Sequence, residues 1–298
     1  MRKITALLLL LCILLVGCQG AQPDATQATQ ATIANIGQGE LKVHFIDVGQ
    51  ADCILLECDE MFALVDGGNA ADGMLDVDYL EEQNVQDLSL VVGTHPHEDH
   101  IGGLPHVMTH FPVKNIWFSA QPYVNGTVRS FLNAAKSQHK EVVEASPGFV
   151  FNLGRATITV LGPVRTDYED VNDISLVLMV QFGDTRFLLT GDMESIAETH
   201  LVESGVSLKA DVLKVGHHGS YSSTSYRFLR EVMPTYGVIS CGLNNEYGHP
   251  HDDPMSRLRD AEVIIYRTDL MSHIVAVSDG KDITFTYANE AAELPNAA

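Results

Sequence analysis

The chain has 298 residues, of which 45% are hydrophobic, and a formal net charge of −21. This length allows one large domain or two small ones. The acidic charge repels nucleic acid and anionic membranes at long range, which argues against a tight, general DNA-binding protein. None of the five cysteines has the spacing of a metal site, so histidines and carboxylates are the candidate metal ligands.

The N-terminal segment predicts export. Arg2 and Lys3 precede a short apolar run, residues 4–16, and Cys18 follows it closely. This pattern is typical of a bacterial lipoprotein signal over residues 1–17 with lipid on Cys18; an ordinary secretory signal and an uncleaved anchor are the alternatives. The protein would then be a membrane lipoprotein outside the cytoplasm, on the cell surface or in the periplasm. It would touch the membrane through its lipid anchor only.

The remaining chain predicts one large domain, residues 40–288. A flexible tether rich in Ala, Gln and Thr precedes it at 18–39, and a frayed tail follows at 289–298. In the first half, the sequence predicts strands at 41–48, 53–57, 61–65, 88–92 and 115–118 and helices at 74–82, 101–110 and 128–138.

The second half is richer in predicted strands and opens near Val142. Its strands are predicted at 149–151, 156–161, 175–182, 186–189, 211–215, 236–240, 263–267, 274–277 and 283–287, and its helices at 194–203, 225–232 and 254–260. This order of elements predicts a mixed α/β fold.

A cluster of imidazoles and carboxylates follows the predicted strand at 88–92. His95, His97, Asp99 and His100 lie on a turn between that strand and a segment that can be helical. Turns held by a rigid scaffold are where binding residues concentrate. Neutral imidazole and carboxylate are good ligands for zinc, manganese or iron, so the turn predicts a metal centre.

The pattern His-x-His-x-Asp-His resembles the signature of the metallo-β-lactamase superfamily. The resemblance implies a four-layer αββα sandwich with one or two divalent metal ions. Asp192, which follows the apolar run 188–191, would bridge the two ions. The first ion would be bound by His95 and His97, and the second by Asp99, His100 and one histidine of the pair His217-His218.

Of that pair, we prefer His217 as the ligand because it comes first off the predicted strand. His218 would then orient substrate or support the ligands. Asp66 stands at a strand end before two glycines, and the resemblance implies that it supports the histidine loop by hydrogen bonding. A simple turn aspartate is the alternative.

The absence of one expected histidine points to a particular family within the superfamily. Many superfamily members have a further histidine before the bridging aspartate, but no histidine occurs between His139 and His200. The sequence is more similar to the hydrolase domain of ComEC-like competence proteins and their free-standing relatives. The stretches that carry this similarity are Phe45 to Asp52, Asn172 to Leu178, Leu213 to Ser220 and Tyr247 to His251, and they place Asp47, Asn172, Ser175, Ser220 and His251 around the site as supporting or substrate-contacting residues.

The first metal position is short of imidazoles in this scheme. Many of the ComEC-like relatives have an aspartate where this chain has His97, and this histidine would partly offset the missing ligand. A position with few imidazoles and more oxygen donors binds manganese as readily as zinc.

The chemistry implied by this site is hydrolysis by a metal-bound hydroxide. Asp99 would bind metal and orient the nucleophile. Lys214 and His249 would stabilise negative charge or protonate the leaving oxygen; a surface lysine at a strand end is the alternative for Lys214.

The preferred function is a phosphodiesterase or nuclease, because the ComEC-like domain is associated with degrading one DNA strand during uptake. Its substrate would be a phosphodiester or another small anion, and nucleic acid would be a substrate without being tightly held, since no basic stripe is present. Hydrolysis of cell-wall phosphoesters such as a teichoic-acid or phosphocholine ester, a β-lactamase or lactonase activity, and a binding module with a retired site remain alternatives.

Overall fold

A computed structural model describes residues 39–119, 124–289 and 291–292. In the first half of the chain, the strands are β1 (Leu41–Phe45), β2 (Ile54–Cys58), β3 (Met61–Val65), β4 (Leu90–Gly93), β5 (Ile116–Phe118) and β6 (Val142–Glu144). The helices of this half are α1 (Gly73–Glu82), α2 (Glu98–Ile101), α3 (Leu104–His110) and α4 (Gly126–Ser137).

The second half contains more strands. They are β7 (Val150–Leu153), β8 (Ala156–Gly162), β9 (Val177–Phe182), β10 (Thr185–Leu189), β11 (Val212–Lys214), β12 (Tyr236–Ile239), β13 (Ile264–Arg267), β14 (Ile274–Ser278) and β15 (Ile283–Tyr287). The helices are α5 (Ser195–Glu203), α6 (Tyr226–Val232), α7 (Asp252–Asp260) and α8 (Thr268–Met271).

The strands form two sheets. One has the order β15-β14-β1-β2-β3-β4-β5-β6, and the other has the order β13-β12-β11-β10-β9-β8-β7. Strands β3 to β6 run parallel in the first sheet, and strands β10 to β13 run parallel in the second. Because the carboxyl ends of parallel strands meet at one edge of a sheet, the loops after β3, β4, β10, β11 and β12 are brought to the edges that carry the site.

Apolar side chains fill three layers of core. A central cluster joins the inner faces of the two sheets and contains Phe45, Leu56, Phe182 and Phe187. A second cluster packs α1, α3 and α4 on the outer face of the first sheet, and a third packs α5, α6 and α7 on the outer face of the second. Two sheets covered by helices on both sides confirm the predicted αββα sandwich.

Several predicted boundaries differ from the structure. The helix predicted at 101–110 begins at Leu104, as α3, and Gly102 and Gly103 separate it from α2, which ends at Ile101. A Cβ atom on Gly103 would lie 2.0 Å from the carbonyl oxygen of Gly67, so the chain can approach this closely only at a glycine. The strand predicted at 175–182 begins at Val177, because a 3₁₀ turn at Asn172–Ile174 precedes it.

The export signal and the frayed tail were predicted at the two ends of the chain. The signal, the lipid site at Cys18 and nearly all of the tether lie outside the described residues. Within the described part of the chain, we find no helix with the length and apolar character needed to cross a membrane. At the other end, the amide of Asn289 donates to the carbonyl of Met271, so the predicted tail is bound to the domain at its first residue.

Candidate metal centre

Asp66 fixes the histidine loop to the end of β3. One oxygen of this buried carboxylate accepts from the Thr94 amide at 2.8 Å, and the other accepts from the Thr94 hydroxyl at 2.7 Å. Nδ1 of His100 lies 2.8 Å from the same Asp66 Oδ2 and donates to it. The bond leaves Nε2 of His100 pointing away from Asp66, as a metal ligand requires. This is the contact that the resemblance implied.

Four side chains, from the segments that follow β4, β10 and β11, converge around one point. Ligand atoms of Asp99, His100, Asp192 and His218 all lie within 4.8 Å of one another. Nε2 of His218 is 3.4 Å from Asp99 Oδ2, and Nε2 of His100 is 3.2 Å from Asp192 Oδ1. His100 Nε2, His218 Nε2 and Asp192 Oδ1 are buried and form no hydrogen bond. Buried polar atoms without partners are costly, and a shared cation would satisfy all three, so the residues fit a divalent metal.

A second group adjoins the first. Ligand atoms of His95, His97 and Asp192 also lie within 4.8 Å of one another, and His95 Nε2 is 3.9 Å from Asp192 Oδ2. Burial and the neighbouring His100 hold the pKa of His95 well below its usual value. The imidazole is therefore neutral, which is the form that binds metal.

Asp192 faces both groups. Its Oδ1 lies 3.2 Å from His100 Nε2 and its Oδ2 lies 3.9 Å from His95 Nε2. The amide of Asp192 donates to the hydroxyl of Ser175 at 3.1 Å, which gives Ser175 a role in holding the loop. Although burial opposes ionisation, His100 and His218 lower the pKa of Asp192. The carboxylate is thus ionised and presents one oxygen to each group.

The positions of His217 and His218 correct the sequence prediction. Asp99 and His100 face His218, whereas Nε2 of His217 lies 3.7 Å from Asp192 Oδ2, on the side of His95. The prediction that His217 joins Asp99 and His100 was wrong because the backbone does not continue as a strand. Both histidines have positive φ, 49° and 52°, in a tight 3₁₀ turn, and their side chains diverge.

Glu194 was missed by the sequence analysis. Nδ1 of His217 donates to Glu194 Oε1 at 3.0 Å, and the hydroxyl of Ser222 donates to the same oxygen at 2.8 Å. The bond to His217 lowers the pKa of Glu194. A carboxylate that holds one imidazole nitrogen and directs the other to a cation is a common support in metal sites. Its only local signal is its position before α5, where an acidic residue is common for other reasons.

Lys214 does not face a substrate, which corrects its predicted catalytic role. Its side chain is 0% exposed, and its ammonium binds Asp52 Oδ2 at 2.8 Å and the carbonyl of Val215 at 3.1 Å. The other oxygen of Asp52 lies 3.5 Å from His218 Nδ1, and that nitrogen donates to the carbonyl of Ser240 at 3.0 Å. The lysine and Asp52 therefore form a buried ion pair behind His218, on the side away from the metal groups.

An open cleft of about 500 Å³ gives access to both groups. His249 lines this cleft, as its predicted role requires, and its Nδ1 lies 3.1 Å from the side-chain nitrogen Nε2 of Gln50. Burial, together with His218 and His217, lowers the pKa of His249 to about 4. In the metal-free protein, this imidazole is neutral at pH 7 and has no proton to give from a charged ring.

The other predicted supporting residues lie at different distances from the cleft. Asn172 donates to Glu194 at 3.5 Å, and Ser220 pairs with the hydroxyl of Ser222 at 2.9 Å, so both belong to the surroundings of Glu194. His251, at the start of α7, accepts a hydrogen bond from the backbone amide of Tyr221. Asp47 accepts from the Gly49 amide in a turn, and its own amide donates to His273, so we assign it a structural role.

The fold and the paired His/Asp groups define a metal-dependent hydrolase. Residues 46–242, about two thirds of the chain, match the family model of the metallo-β-lactamase superfamily, and the chain belongs to that superfamily. The solved structure of YhfI, a metallo-β-lactamase fold protein from Bacillus subtilis, superposes with a TM-score of 0.57 at 14% identity, over 81% of this chain and 100% of that one. At this identity the likeness concerns the fold alone.

Competence proteins are among the relatives in sequence, as the ComEC-like motifs predicted. ComE operon protein 3 of Bacillus subtilis is 32% identical over 193 residues, which are 65% of this chain and 25% of that protein. Competence protein ComA of Neisseria gonorrhoeae is 31% identical over 237 residues, 79% of this chain and 32% of that protein. The chain therefore spans about a quarter to a third of the length of these relatives.

Proposed function

We propose that this metal-dependent hydrolase cleaves phosphodiester bonds with two divalent ions. The observation that carries the proposal is the orientation of Asp192, which presents Oδ1 to His100 and His218 and Oδ2 to His95 and His217. A carboxylate placed in this way neutralises the repulsion between two adjacent cations. Two-metal sites are frequent in enzymes that act on phosphate esters, because the pair stabilises both the attacking and the leaving oxygen.

The ligand set follows from the two groups. Asp99, His100, His218 and Asp192 would hold one ion. His95, His97 and Asp192 would hold the other, with His217 as a further imidazole directed by Glu194. This use of both histidines of the pair supplies the imidazole that the sequence lacks before Asp192. The first position then has three imidazoles and one carboxylate, a set that suits zinc and also accepts manganese.

The bound ions would polarise a phosphoryl oxygen and lower the pKa of water. The protein's own groups would orient the reactants. Asp99 borders the cleft, and its second oxygen can accept a hydrogen bond from the attacking water and so orient it. His249, neutral and held by Gln50, can hydrogen bond to the phosphate or to the leaving oxygen.

Similarity in sequence to two competence proteins supports the choice of a phosphodiester substrate. The resemblance of this chain to the ComEC-like family implies action on DNA, which is a phosphodiester. The charge of −21 limits how such a substrate is bound. Because the protein repels a polyanion at long range, retention of the substrate must come from the ions and from contacts inside the cleft.

The location outside the cytoplasm depends on Cys18. The position of this cysteine after residues 4–16 supports lipid attachment. Cells grown with labelled palmitate are expected to label the wild-type chain and the Cys12→Ser control, and to leave Cys18→Ser unlabelled. Equal label in the Cys18→Ser variant would contradict the anchor.

A substrate panel tests the enzymatic proposal. The full chain, supplied with manganese or zinc, is assayed on bis-p-nitrophenyl phosphate, single-stranded DNA and nitrocefin. We expect hydrolysis of the phosphodiesters and its loss in Asp192→Ala, with the exposed turn variant Asp184→Ala as the matched control. Cleavage of nitrocefin alone would overturn the proposal, and full activity of Asp192→Ala would refute the ligand assignment.

A further inference from the structure

One exposed aromatic residue of the cleft is neither a candidate metal ligand nor a support of one. Tyr247 lines the cleft beside His249, and 63% of its surface is exposed. Its ring is stacked on that of His249, with an interplanar angle of 27° and ring centres 5.6 Å apart. The ring of His249 is in turn nearly parallel to that of His218, at 24° and 6.4 Å. A row of parallel rings thus leads from the mouth of the cleft to the candidate metal centre.

The loop that carries Tyr247 is held in place by its own hydrogen bonds. The side-chain nitrogen of Asn245 donates to the carbonyl oxygens of Gly242 and His249, and its oxygen accepts from the His249 amide. Gln50, from the loop between β1 and β2, binds both the ring of His249 and the amide of Gly242. A ring on such a loop is oriented before a ligand arrives, so little entropy is lost on stacking.

The charge of the cleft determines what this ring can recognise. Among the described residues that line the cleft, none is a lysine or an arginine, whereas Glu98 and Glu246 are present. A nucleic-acid chain therefore finds no cationic groove for its successive phosphates. An aromatic face binds any base through its π-system and needs no charge.

From these contacts we propose that Tyr247 is a stacking platform for one nucleobase of the substrate. The inference rests on the proposed phosphodiesterase function and specifies its substrate as a short nucleotide or a single-stranded end, with one phosphate at the metal centre and a nearby base on Tyr247. One platform without a basic groove selects such ligands over long duplexes. Loss of a base-stacking residue weakens binding between about 5-fold and 150-fold per base.

The test is calorimetric binding to the full chain in the presence of manganese. The probe is 5′-phosphorylated dithymidine with a methylphosphonate linkage, compared with the same molecule lacking both bases. We expect the wild-type chain to bind the probe with bases at least about fivefold more tightly. Tyr247→Leu is expected to remove this preference and Tyr247→Phe to keep it. Tyr221→Leu, at a tyrosine that is 65% exposed, is the matched control and keeps it as well.

Equal affinity of the wild-type chain for the two probes would overturn the inference, as would a loss in Tyr247→Phe as large as that in Tyr247→Leu. The two proposals fail separately. If bis-p-nitrophenyl phosphate is hydrolysed and no base preference is found, the platform alone is refuted. If the base preference is present and no phosphodiester is hydrolysed, Tyr247 stacks a base of a bound nucleotide that is not a substrate, and the proposed reaction is refuted.

Discussion

The ion pair of Lys214 and Asp52 gives a quantitative prediction. Lys214 is 0% exposed and Asp52 is 1% exposed, and Lys214 Nζ lies 2.8 Å from Asp52 Oδ2. Lys214→Met removes the cation and leaves the carboxylate of Asp52 buried without its charge partner. Breaking a buried pair in this way costs about 3–5 kcal/mol, a large part of the stability of an ordinary domain.

A second variant separates charge from packing. In Lys214→Met/Asp52→Asn both charges are removed, so the uncompensated carboxylate is gone and at least about 2 kcal/mol should return. The assay is urea unfolding of metal-free protein, followed by the fluorescence of Trp117. This is the chain's single tryptophan and it is buried, so its emission reports unfolding.

The expected order of urea midpoints is wild type, then the double variant, then Lys214→Met. An unchanged midpoint for Lys214→Met would refute the buried pair. A double variant no more stable than Lys214→Met would show that the loss comes from packing of the lysine stem and not from the charge left on Asp52.

Two further predictions concern Glu194 and a buried carboxyl on α1. Glu194→Ala removes the acceptor of the His217 imidazole, so a metal titration should show one of two binding steps weakened about 10- to 100-fold. The control Glu203→Ala, at an exposed ion pair, leaves both steps unchanged. Two unchanged steps in Glu194→Ala would contradict the assignment. Burial, with Asp72 nearby, raises the pKa of Asp76 from 3.8 to about 8, so the folded state keeps a proton that the unfolded state loses. The associated stability is complete below the unfolded-state pKa and is lost as pH rises through about 8, by roughly 6 kcal/mol at most. Asp76→Asn should therefore gain on the wild type between pH 5 and pH 8 in urea unfolding of the metal-free protein, and parallel pH profiles would rule this out.

The secondary structure could be predicted because its signals are local, whereas the four-layer arrangement was implied by the resemblance to the metallo-β-lactamase superfamily. Apolar, branched runs predicted the strands near their observed bounds, with β3 at its observed residues, except for β6, a short and largely exposed edge strand that was not predicted. The ligand-bearing turns could also be placed, since residues after parallel strands gather at one sheet edge. Asp66 belongs to this class, because its position after β3 brings it beside the loop that follows β4.

Side-chain direction could not be predicted in the same way. His217 and His218 are neighbours in sequence, and only the positive φ of both residues sends their rings to different sides of Asp192. The burial of Lys214 depends on Asp52, a residue far away in the chain, and no local pattern predicts that the two pair. The first error concerns the backbone conformation of a tight turn, and the second concerns a contact between distant segments; the pattern of apolar and polar residues predicts neither.

The most direct test of the account is the metal content of the purified full chain. After loading with manganese or zinc and removal of free metal, the wild type and Asp184→Ala are expected to retain two divalent ions per chain by mass spectrometry. Asp192→Ala, which lacks the oxygens facing both groups, is expected to lose both. Two ions retained in Asp192→Ala, or none bound by the wild type, would contradict the shared carboxylate on which the account depends.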